Sequence, residues 1–251
     1  MSKKYAYIHI EKCAGTSLHK ILEYNDSRYW VLNPKVFKTN GEDYPLTIED
    51  TNRILKSSLV NGIGGHAIRP YRMEGAILQN AFTFLRDPDK RFVSHFIHQK
   101  HKMGIERTFE NYLQDYYYSN FITKALSVNG NLEEAKQLIY KIGYVGIMEN
   151  FEHDLQQLNT VIFNNKLKIY QNHDMQGAAK TEAQDLMVKY KEEIRKCNEN
   201  DWQLYEIAKS ADFRSKYKYT NTIENYANIN SLYEFKRKAL RQIKNKVWSY
   251  L

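Results

Sequence analysis

Two stretches of the sequence combine basic and hydroxyl side chains at a spacing that suits an anionic ligand. In the first, Lys12 precedes Gly15, and Thr16 and Ser17 follow it, between an apolar run and a helical repeat. A loop that joins a strand to a helix presents backbone N–H groups and the positive helix end to one point, where anions bind. It differs from the nucleotide-triphosphate loop GxxxxGKS/T, because its lysine comes before the glycine and the first glycine is missing. Taken alone, this loop is also consistent with a merely structural turn.

The second stretch, residues 86–96, follows another apolar run and opens a helix. Asp87 is its predicted cap, and Pro88 occupies the first helical position. Arg86 lies at the end of the predicted strand and Ser94 about two turns into the helix. Both side chains can reach a phosphate that lies over the carboxyl end of the strand. Together, the two stretches favour an anion site over a merely structural turn.

The same strand-to-helix pattern recurs along the chain and must position these loops. Short β-branched or aromatic runs alternate with stretches whose apolar residues repeat at helical spacing. Strands that alternate with helices predict an α/β fold, with a central parallel sheet flanked by helices and a helical carboxy-terminal third. The predicted strands are residues 5–10, 59–63, 81–85 and 144–148, and the predicted helices include residues 109–126, 132–140 and 151–163 and one capped by Asp201.

The composition favours a single domain over residues 1–251 and excludes several classes of protein. Apolar residues make up 42% of the chain, and 11 glycines and 4 prolines leave no room for a disordered or collagen-like segment. No apolar run approaches the roughly 20 residues of a membrane span, and no signal-peptide pattern is found. Two cysteines, Cys13 and Cys197, are too few for a disulfide framework or a four-ligand zinc site. These features favour a reducing compartment, most simply a bacterial cytoplasm.

The two stretches, HIEKCAGTSL (residues 9–18) and RDPDKRFVSHF (residues 86–96), resemble a known pair of motifs. They are similar to the 5′-phosphosulfate loop and the 3′-phosphate motif of sulfotransferases that use 3′-phosphoadenosine 5′-phosphosulfate (PAPS). The resemblance implies a P-loop-like three-layer fold. Further matches resemble the carbohydrate-modifying branch, which includes heparan sulfate 2-O-sulfotransferase and bacterial relatives: Gly65-His66 after a predicted strand, FENYL, NFITKAL, YVGIMENF and DWQLY. One departure is Glu149-Asn150, where the family often has Glu-Arg.

The resemblance implies a role for each residue of the donor site. Lys12 stabilises the departing phosphate oxygen, and the loop holds the 5′-phosphate, as in phosphoryl transfer. Arg86 and Ser94 bind the 3′-phosphate, which distinguishes PAPS from ATP. No metal is required, in agreement with the lack of an Asp/Glu/His cluster at ligand spacing in the sequence. The residues expected to bind the donor are Lys12, Ala14, Gly15, Thr16, Ser17, Arg86 and Ser94.

The acceptor hydroxyl needs a general base, for which His66 is the predicted residue. A histidine with its ordinary pKa of about 6.5 suits neutral pH, and the two glycines before His66 allow close approach of the backbone. The alternative is a loop histidine that is hydrogen-bonded to the backbone. Arg69, Tyr71 and Arg72 follow closely and are predicted to contact an anionic or sugar acceptor, although ordinary surface positions would also explain them.

The other histidines of these motifs have simpler explanations. His9 falls within the first predicted strand and is expected to be a core residue. His95, His98 and His101 follow one side of a helix and lack carboxylate neighbours in the sequence, so we expect a solvated or substrate-facing edge. Cys13 is expected to be a small residue that fills the donor loop.

The last twenty residues, 232–251, hold six basic residues and one acidic residue, out of a net charge of +8 for the chain. They predict a basic amphipathic helix, which can lie on an anionic membrane or grip an acidic partner. The alternative is a helix that packs on the domain and exposes its basic face. The predicted location is therefore cytoplasmic, and peripheral to the inner membrane if this helix binds lipid.

The function predicted from the sequence is sulfuryl transfer from PAPS to a hydroxyl of a glycan or glycolipid. One alternative is a P-loop kinase of small molecules, which the position of Lys12 and the lack of an evident Mg²⁺-binding aspartate oppose. A second alternative is a non-catalytic basic module that binds nucleic acid or membrane with a steep salt dependence. For the enzyme itself, nucleic acid is a disfavoured partner.

Overall fold

Five short parallel strands form the central sheet of the computed structural model. The structure describes residues 3–32, 46–169, 178–217, 237 and 239–244. The strand order is β2-β3-β1-β4-β5, and every neighbouring pair runs parallel. Their residues are buried almost throughout, as expected for a parallel sheet covered on both faces. The strands are β1 (Tyr5–Ile8), β2 (Tyr29–Val31), β3 (Gly62–Gly65), β4 (Ala81–Leu85) and β5 (Tyr144–Ile147).

Helices connect the strands and make up the carboxy-terminal part of the described chain. The central sheet packs with several of them into one core, while a second apolar cluster joins helices beyond β4. Among the described residues, no helix is both long enough and apolar enough to cross a membrane. The helices are α1 (Gly15–Asn25), α2 (Ile48–Lys56), α3 (Gly75–Gln79), α4 (Pro88–Met103), α5 (Phe109–Gln114), α6 (Phe121–Leu126), α7 (Leu132–Lys141), α8 (Phe151–Phe163), α9 (Ala178–Lys189), α10 (Lys191–Cys197), α11 (Glu199–Lys209) and α12 (Ala211–Ser215).

The structure confirms the α/β class and the parallel sheet. It also confirms the start of α4, where the Asp87 carboxylate accepts from the N–H of Lys90 and Pro88 is the first helical residue. The predicted helix over 109–126 is wrong in one respect, since two helices, α5 and α6, are separated by a turn. Asp201 was expected to cap its own helix, but α11 already begins at Glu199.

β2, α2 and α3 had no counterpart in the sequence prediction. β2 is only three residues long, and α2 begins with a capping box in which Thr47 and Asp50 exchange hydrogen bonds. That Thr-x-x-Asp spacing is a signal from which α2 could have been predicted. β3 also starts later than the apolar run 59–63 indicates, and it includes both glycines before His66.

Candidate active site

Three neighbouring strands end at the same edge of the sheet, and each is followed by one of the predicted site residues. β3, β1 and β4 lie side by side and run parallel, so their carboxyl ends meet. His66 follows β3, Lys12 lies in the loop after β1, and Arg86 follows β4. In open parallel sheets, ligands bind outside this edge. The topology thus brings together residues that are far apart in the sequence.

The loop after β1 has the backbone form of an anion site. Lys12 and Ala14 adopt left-handed conformations, with φ of 66° and 63°. α1 begins at Gly15, its N-cap Ala14 forms no side-chain cap, and its first turn holds no acidic residue. Its positive end therefore favours an external anion. Thr16 is exposed and Ser17 half-buried, which leaves both hydroxyls beside the loop within reach of a ligand.

Arg86 joins the loop after β4 to the loop after β1. Its Nη1 atom donates to the carbonyl oxygen of Lys12 at 3.3 Å. Burial lowers the pKa of the Lys12 ammonium, and the positive charge of Arg86 adds to this effect, whereas Glu11 opposes it. Neighbouring positive charges repel one another less when an anion binds to both, so this pair favours a strongly anionic ligand. Ser94 lies about two turns into α4 and is half-buried.

His66 is held by the backbone through one ring nitrogen. Its Nδ1 atom lies 3.3 Å from the carbonyl oxygen of His9, and a carbonyl only accepts, so Nδ1 carries the hydrogen. Nε2 of the neutral ring then holds the free electron pair that a general base needs. Burial lowers the pKa of His66, and the charge of Glu11 raises it. The backbone hydrogen bond of the alternative explanation is thus present, and it is compatible with a role as base.

Close backbone approach at Gly65 fits the expectation from the sequence. Its φ is +141°, and a Cβ atom at this position would lie 2.4 Å from the carbonyl oxygen of Leu32. An amino acid with a side chain would therefore push β3 away from the segment after β2. Gly65 consequently sets the position from which His66 leaves the sheet.

His9 was expected in the strand core, and this expectation is wrong. β1 ends at Ile8, so His9 lies one residue beyond the strand, half-buried, with its ring stacked on that of His66 at a centroid distance of 4.1 Å. Its Nδ1 lies 3.1 Å from Nε2 of His19, whose Nδ1 lies 2.7 Å from the hydroxyl of Tyr29. Burial, together with the charges of His66 and His19, lowers the pKa of His9 well below its usual value. A neutral His9 therefore supports the ring of His66.

Glu11 was not identified from the sequence, and it connects two histidines of the site. Oε2 of Glu11 lies 2.6 Å from Nε2 of His95, and Oε1 lies 3.9 Å from Nδ1 of His66. Nδ1 of His95 lies 2.8 Å from the hydroxyl of Tyr112. Of the expected solvated or substrate-facing edge, the solvated alternative is wrong for His95, since this residue is only 4% exposed. His101, at the surface, pairs with Glu182 at 2.7 Å instead.

The residues predicted to contact the acceptor lie just beyond His66. Pro70–Arg72 form a short 3₁₀ turn, in which Tyr71 and Arg72 are half-buried. Burial lowers the pKa of Arg69. The nearby Tyr71 and Tyr117 act in the opposite direction and raise this pKa, Tyr71 also through a side-chain hydrogen bond. Tyr117 is 65% exposed. The guanidinium of Arg72 lies 5.7 Å from the centroid of the Tyr71 ring. A basic group beside an aromatic ring is a suitable surface for a polar ring.

Glu149, which follows β5, stabilises the loop between β4 and α4. Its two oxygens accept from the N–H of Asp87 at 3.2 Å and from the hydroxyl of Tyr205 at 2.9 Å. Trp202 donates to Asp89 at 2.7 Å in the first turn of α4. The stretches YVGIMENF and DWQLY therefore brace the loop that carries Arg86.

Asp201 performs a different task from the one expected. Its carboxylate is fully buried and accepts from the N–H groups of Ile122 and Thr123 and from the Thr123 hydroxyl, at 2.7 to 2.9 Å. It therefore caps the start of α6, an interaction that joins the stretches DWQLY and NFITKAL. Next to it, the guanidinium of the buried Arg91 lies over the Phe121 ring at 4.8 Å.

Two further expectations concern Cys13 and the terminal segment. Cys13 is fully buried, and burial raises the pKa of its thiol to about 12, as suits a small residue that fills the loop. Of the predicted helix over residues 232–251, only 237 and 239–244 are described, and the rest lies outside the described residues. Arg237 and Arg241 both contact Glu23 of α1 at 2.8 Å, which attaches this part of the segment to the domain.

A loop with an uncapped helix start, two basic residues and a histidine thus lie at one edge of a parallel sheet, an arrangement that suits the transfer of a group from an anionic donor. In the described part of the chain, no three His, Cys, Asp or Glu side chains are grouped to hold a metal ion.

The comparison with family models agrees with this class. The model of the sulfotransferase family matches residues 2–249, and the chain therefore belongs to the sulfotransferase family. Its chemistry is sulfuryl transfer, and members of this family generally use PAPS as donor. A search of curated proteins finds no match to this chain. Family membership favours sulfuryl transfer over the kinase and the binding module as alternatives.

Proposed function

We propose that this protein transfers the sulfuryl group of PAPS to a hydroxyl of a glycan or glycolipid. His66 acts as general base, and Lys12 stabilises the leaving phosphate. The observation that carries the proposal is the meeting of three strand ends, which brings His66, Lys12 and Arg86 to one edge of the sheet. The contacts of Arg86 with the Lys12 carbonyl and of His66 with the His9 carbonyl hold these elements together.

The residues around the donor loop suit the two anionic groups of the donor. The uncapped start of α1, with Thr16 and Ser17, would hold the 5′-phosphate. Arg86 and Ser94, on the neighbouring strand end and helix, would hold the 3′-phosphate. Burial already lowers the pKa of the Lys12 ammonium, so a bound anion would stabilise its charge.

The roles of His66 and Lys12 in the proposed transfer follow from where these two residues lie. The acceptor oxygen forms a bond to sulfur while the bond between sulfur and the bridging phosphate oxygen breaks. Nε2 of His66 takes the hydroxyl proton, and Lys12 stabilises the negative charge that develops on the leaving oxygen. The products are a sulfate ester and 3′-phosphoadenosine 5′-phosphate. The position of the free Nε2 electron pair, set by the Nδ1 contact to His9, supports this assignment.

The acceptor class rests on the residues after His66. Sugar rings pack on aromatic faces, and the guanidinium of Arg72 lies 5.7 Å from the centroid of the Tyr71 ring. Tyr117, which influences the charge of Arg69, is exposed. Arg69 and Arg72 would add attraction for an acceptor that already carries negative charge. This combination favours a glycan or the sugar headgroup of a glycolipid.

The terminal basic segment would place the enzyme at an anionic membrane surface only if its charges are available there. Arg237 and Arg241 contact Glu23, so membrane binding through these two side chains would compete with their attachment to α1. We retain a cytoplasmic location, with peripheral membrane contact, as part of the proposal.

Calorimetric titration with 3′-phosphoadenosine 5′-phosphate tests the donor site. We expect micromolar binding to the wild type and a loss of about tenfold to a hundredfold in Arg86→Ala, because a charge-assisted contact to phosphate is removed. Adenosine 5′-phosphate and ATP with Mg²⁺ serve as competing ligands.

A matched control variant is Lys136→Ala, which removes one positive charge from α7 at a surface pair with Glu133. It should bind like the wild type. A preference for ATP with Mg²⁺, or equal binding by the wild type and Arg86→Ala, would contradict the proposed donor.

A further inference from the structure

The carboxylate of Glu11 lies between two histidines that come from different strand ends. One oxygen is 2.6 Å from Nε2 of His95, and the other is 3.9 Å from Nδ1 of His66. His95 is buried in α4, whereas the side chain of His66 is 38% exposed at the edge of the site. The Glu11 carboxylate thus connects the buried His95 to the partly exposed ring of His66.

The hydrogen-bond pattern at His95 fixes the position of Glu11. A carboxylate only accepts, so Nε2 of His95 donates to it. Nδ1 of His95 lies 2.8 Å from the hydroxyl of Tyr112, which also lies 3.5 Å from the carbonyl oxygen of Phe92, and the Tyr112 ring stacks on Tyr118. His95 is therefore held at both ring nitrogens. Because Tyr112 is fully buried, this anchor is shielded from solvent.

Glu11 keeps its negative charge in this position. Burial by itself would raise its pKa, but the hydrogen bond from His95 and the charges of His66, His95 and His9 together lower the pKa to about 2. Among the described residues, the groups that face His66 are Glu11, Arg69, His95, His19 and the ring and carbonyl of His9. Of these, only Glu11 supplies a negative charge to the ring.

We propose that Glu11 is a positioning residue for the base His66. Its carboxylate stabilises the charged form of His66, while His95 and Tyr112 hold the carboxylate in place. Nδ1 of His66 already donates to the His9 carbonyl and faces Glu11 on the same side. When Nε2 takes the acceptor proton, the new positive charge on the ring lies next to the carboxylate. This role rests on the proposed function, because it assigns His66 as the base of that reaction.

The titration of His66 tests this role without any donor or acceptor. In the full chain, the pKa of His66 is read from the NMR signal of its ring C–H, assigned by its absence in His66→Gln. We expect Glu11→Gln to lower this pKa by about one pH unit, since a negative charge about 4 Å away is removed at a partly solvated site. Glu11→Asp keeps the charge and should restore at least half of the shift.

Two controls separate this effect from general damage to the structure. Glu133→Gln removes a carboxylate from the surface pair with Lys136 and should leave the His66 titration unchanged. Binding of 3′-phosphoadenosine 5′-phosphate to Glu11→Gln should be as strong as in the wild type or stronger, because the variant removes negative charge near Lys12. Where turnover of PAPS is measured, kcat should fall about tenfold and the acidic limb of its pH profile should move down with the His66 pKa.

The outcomes distinguish this proposal from the proposed function. An unchanged His66 pKa in Glu11→Gln, or a shift that Glu11→Asp does not reverse, would overturn the role of Glu11. A wild type that does not bind 3′-phosphoadenosine 5′-phosphate would instead refute the donor assignment, whereas the NMR titration still decides whether Glu11 controls His66. Lowered pKa, reversal by aspartate and retained donor binding together would establish the proposal.

Discussion

Gly15 lies so close to His9 that a Cβ atom at position 15 would be 1.7 Å from Nε2 of the imidazole. The first residue of α1 is thus small for two reasons. The backbone of an anion loop benefits from glycine, and the His9 ring occupies the space that a side chain would need. Because His9 also stacks on His66, this contact connects the donor loop to the base.

We therefore expect Gly15→Ala to destabilise the protein by about 1–3 kcal/mol, as overpacking does in well-packed regions. His9→Ala removes the ring and should make the same Gly15→Ala change much less costly. Urea unfolding of the two single variants and of the double variant measures this coupling.

Gly75→Ala is the matched control for this cycle. A Cβ atom there meets nothing within 4 Å, although its φ is +53°. The cost should be the backbone strain alone, roughly 1 kcal/mol, with no dependence on His9. Additive effects of Gly15→Ala and His9→Ala would show that the imidazole does not fill this space.

His19 makes the stability of the protein depend on pH. Burial, with the charges of Arg241, His66 and Arg237, lowers its pKa to about 3. The unfolded chain binds this proton near pH 6.5 and the folded chain only near 3, so the stabilisation is full above about pH 6.5 and is lost as the pH falls. His19→Gln should reduce this loss by up to about 1.4 kcal/mol per pH unit.

Urea unfolding at pH 7 and pH 5.5 measures the difference between the wild type and His19→Gln. Between pH 7 and 8.5 the histidine is neutral in both states, so the two proteins should show parallel curves there. Equal slopes below pH 6.5 would mean that His19 is protonated in the folded protein.

The strand ends that form the site could be predicted from the sequence because each is marked locally. Arg86 follows an apolar run and precedes a capped helix with proline at its first position, which leaves little freedom in the assignment. The same holds for Lys12 and Gly15 between β1 and α1. By contrast, the three-residue β2 has too few positions for a periodic pattern.

Contacts between side chains from different elements could not be predicted in this way. Glu11 and His95 meet only because β1 and β4 are neighbours in the sheet, and strand order is not written in local spacing. For the same reason His95 was expected at a solvated or substrate-facing edge, although α4 buries it against Tyr112. The prediction for Asp201 failed for the same reason. The sequence pattern indicates a cap for the helix that contains Asp201, whereas its hydrogen-bond partners lie in α6.

Asp201 should be among the least replaceable residues of the fold. Its carboxylate accepts three hydrogen bonds at the start of α6 and is the negative charge near the buried Arg91, two of whose nitrogens have no hydrogen-bond partner in the described residues. Asp201→Ala leaves these donors and that charge uncompensated, so we expect a loss of about 3 kcal/mol or more. Urea unfolding at pH 7 measures it.

Asp201→Asn retains an acceptor oxygen but not the charge, and should lose less stability than the alanine variant. Asp212→Ala, in the exposed first turn of α12, is the matched control and should cost under about 1 kcal/mol. If Asp201→Ala were as mild as Asp212→Ala, the capping of α6 would not depend on this carboxylate. If Asp201→Ala loses much more unfolding free energy than Asp201→Asn, the loss in Asp201→Asn measures the part due to the charge that faces Arg91. The additional loss in Asp201→Ala then measures the part due to the hydrogen bonds.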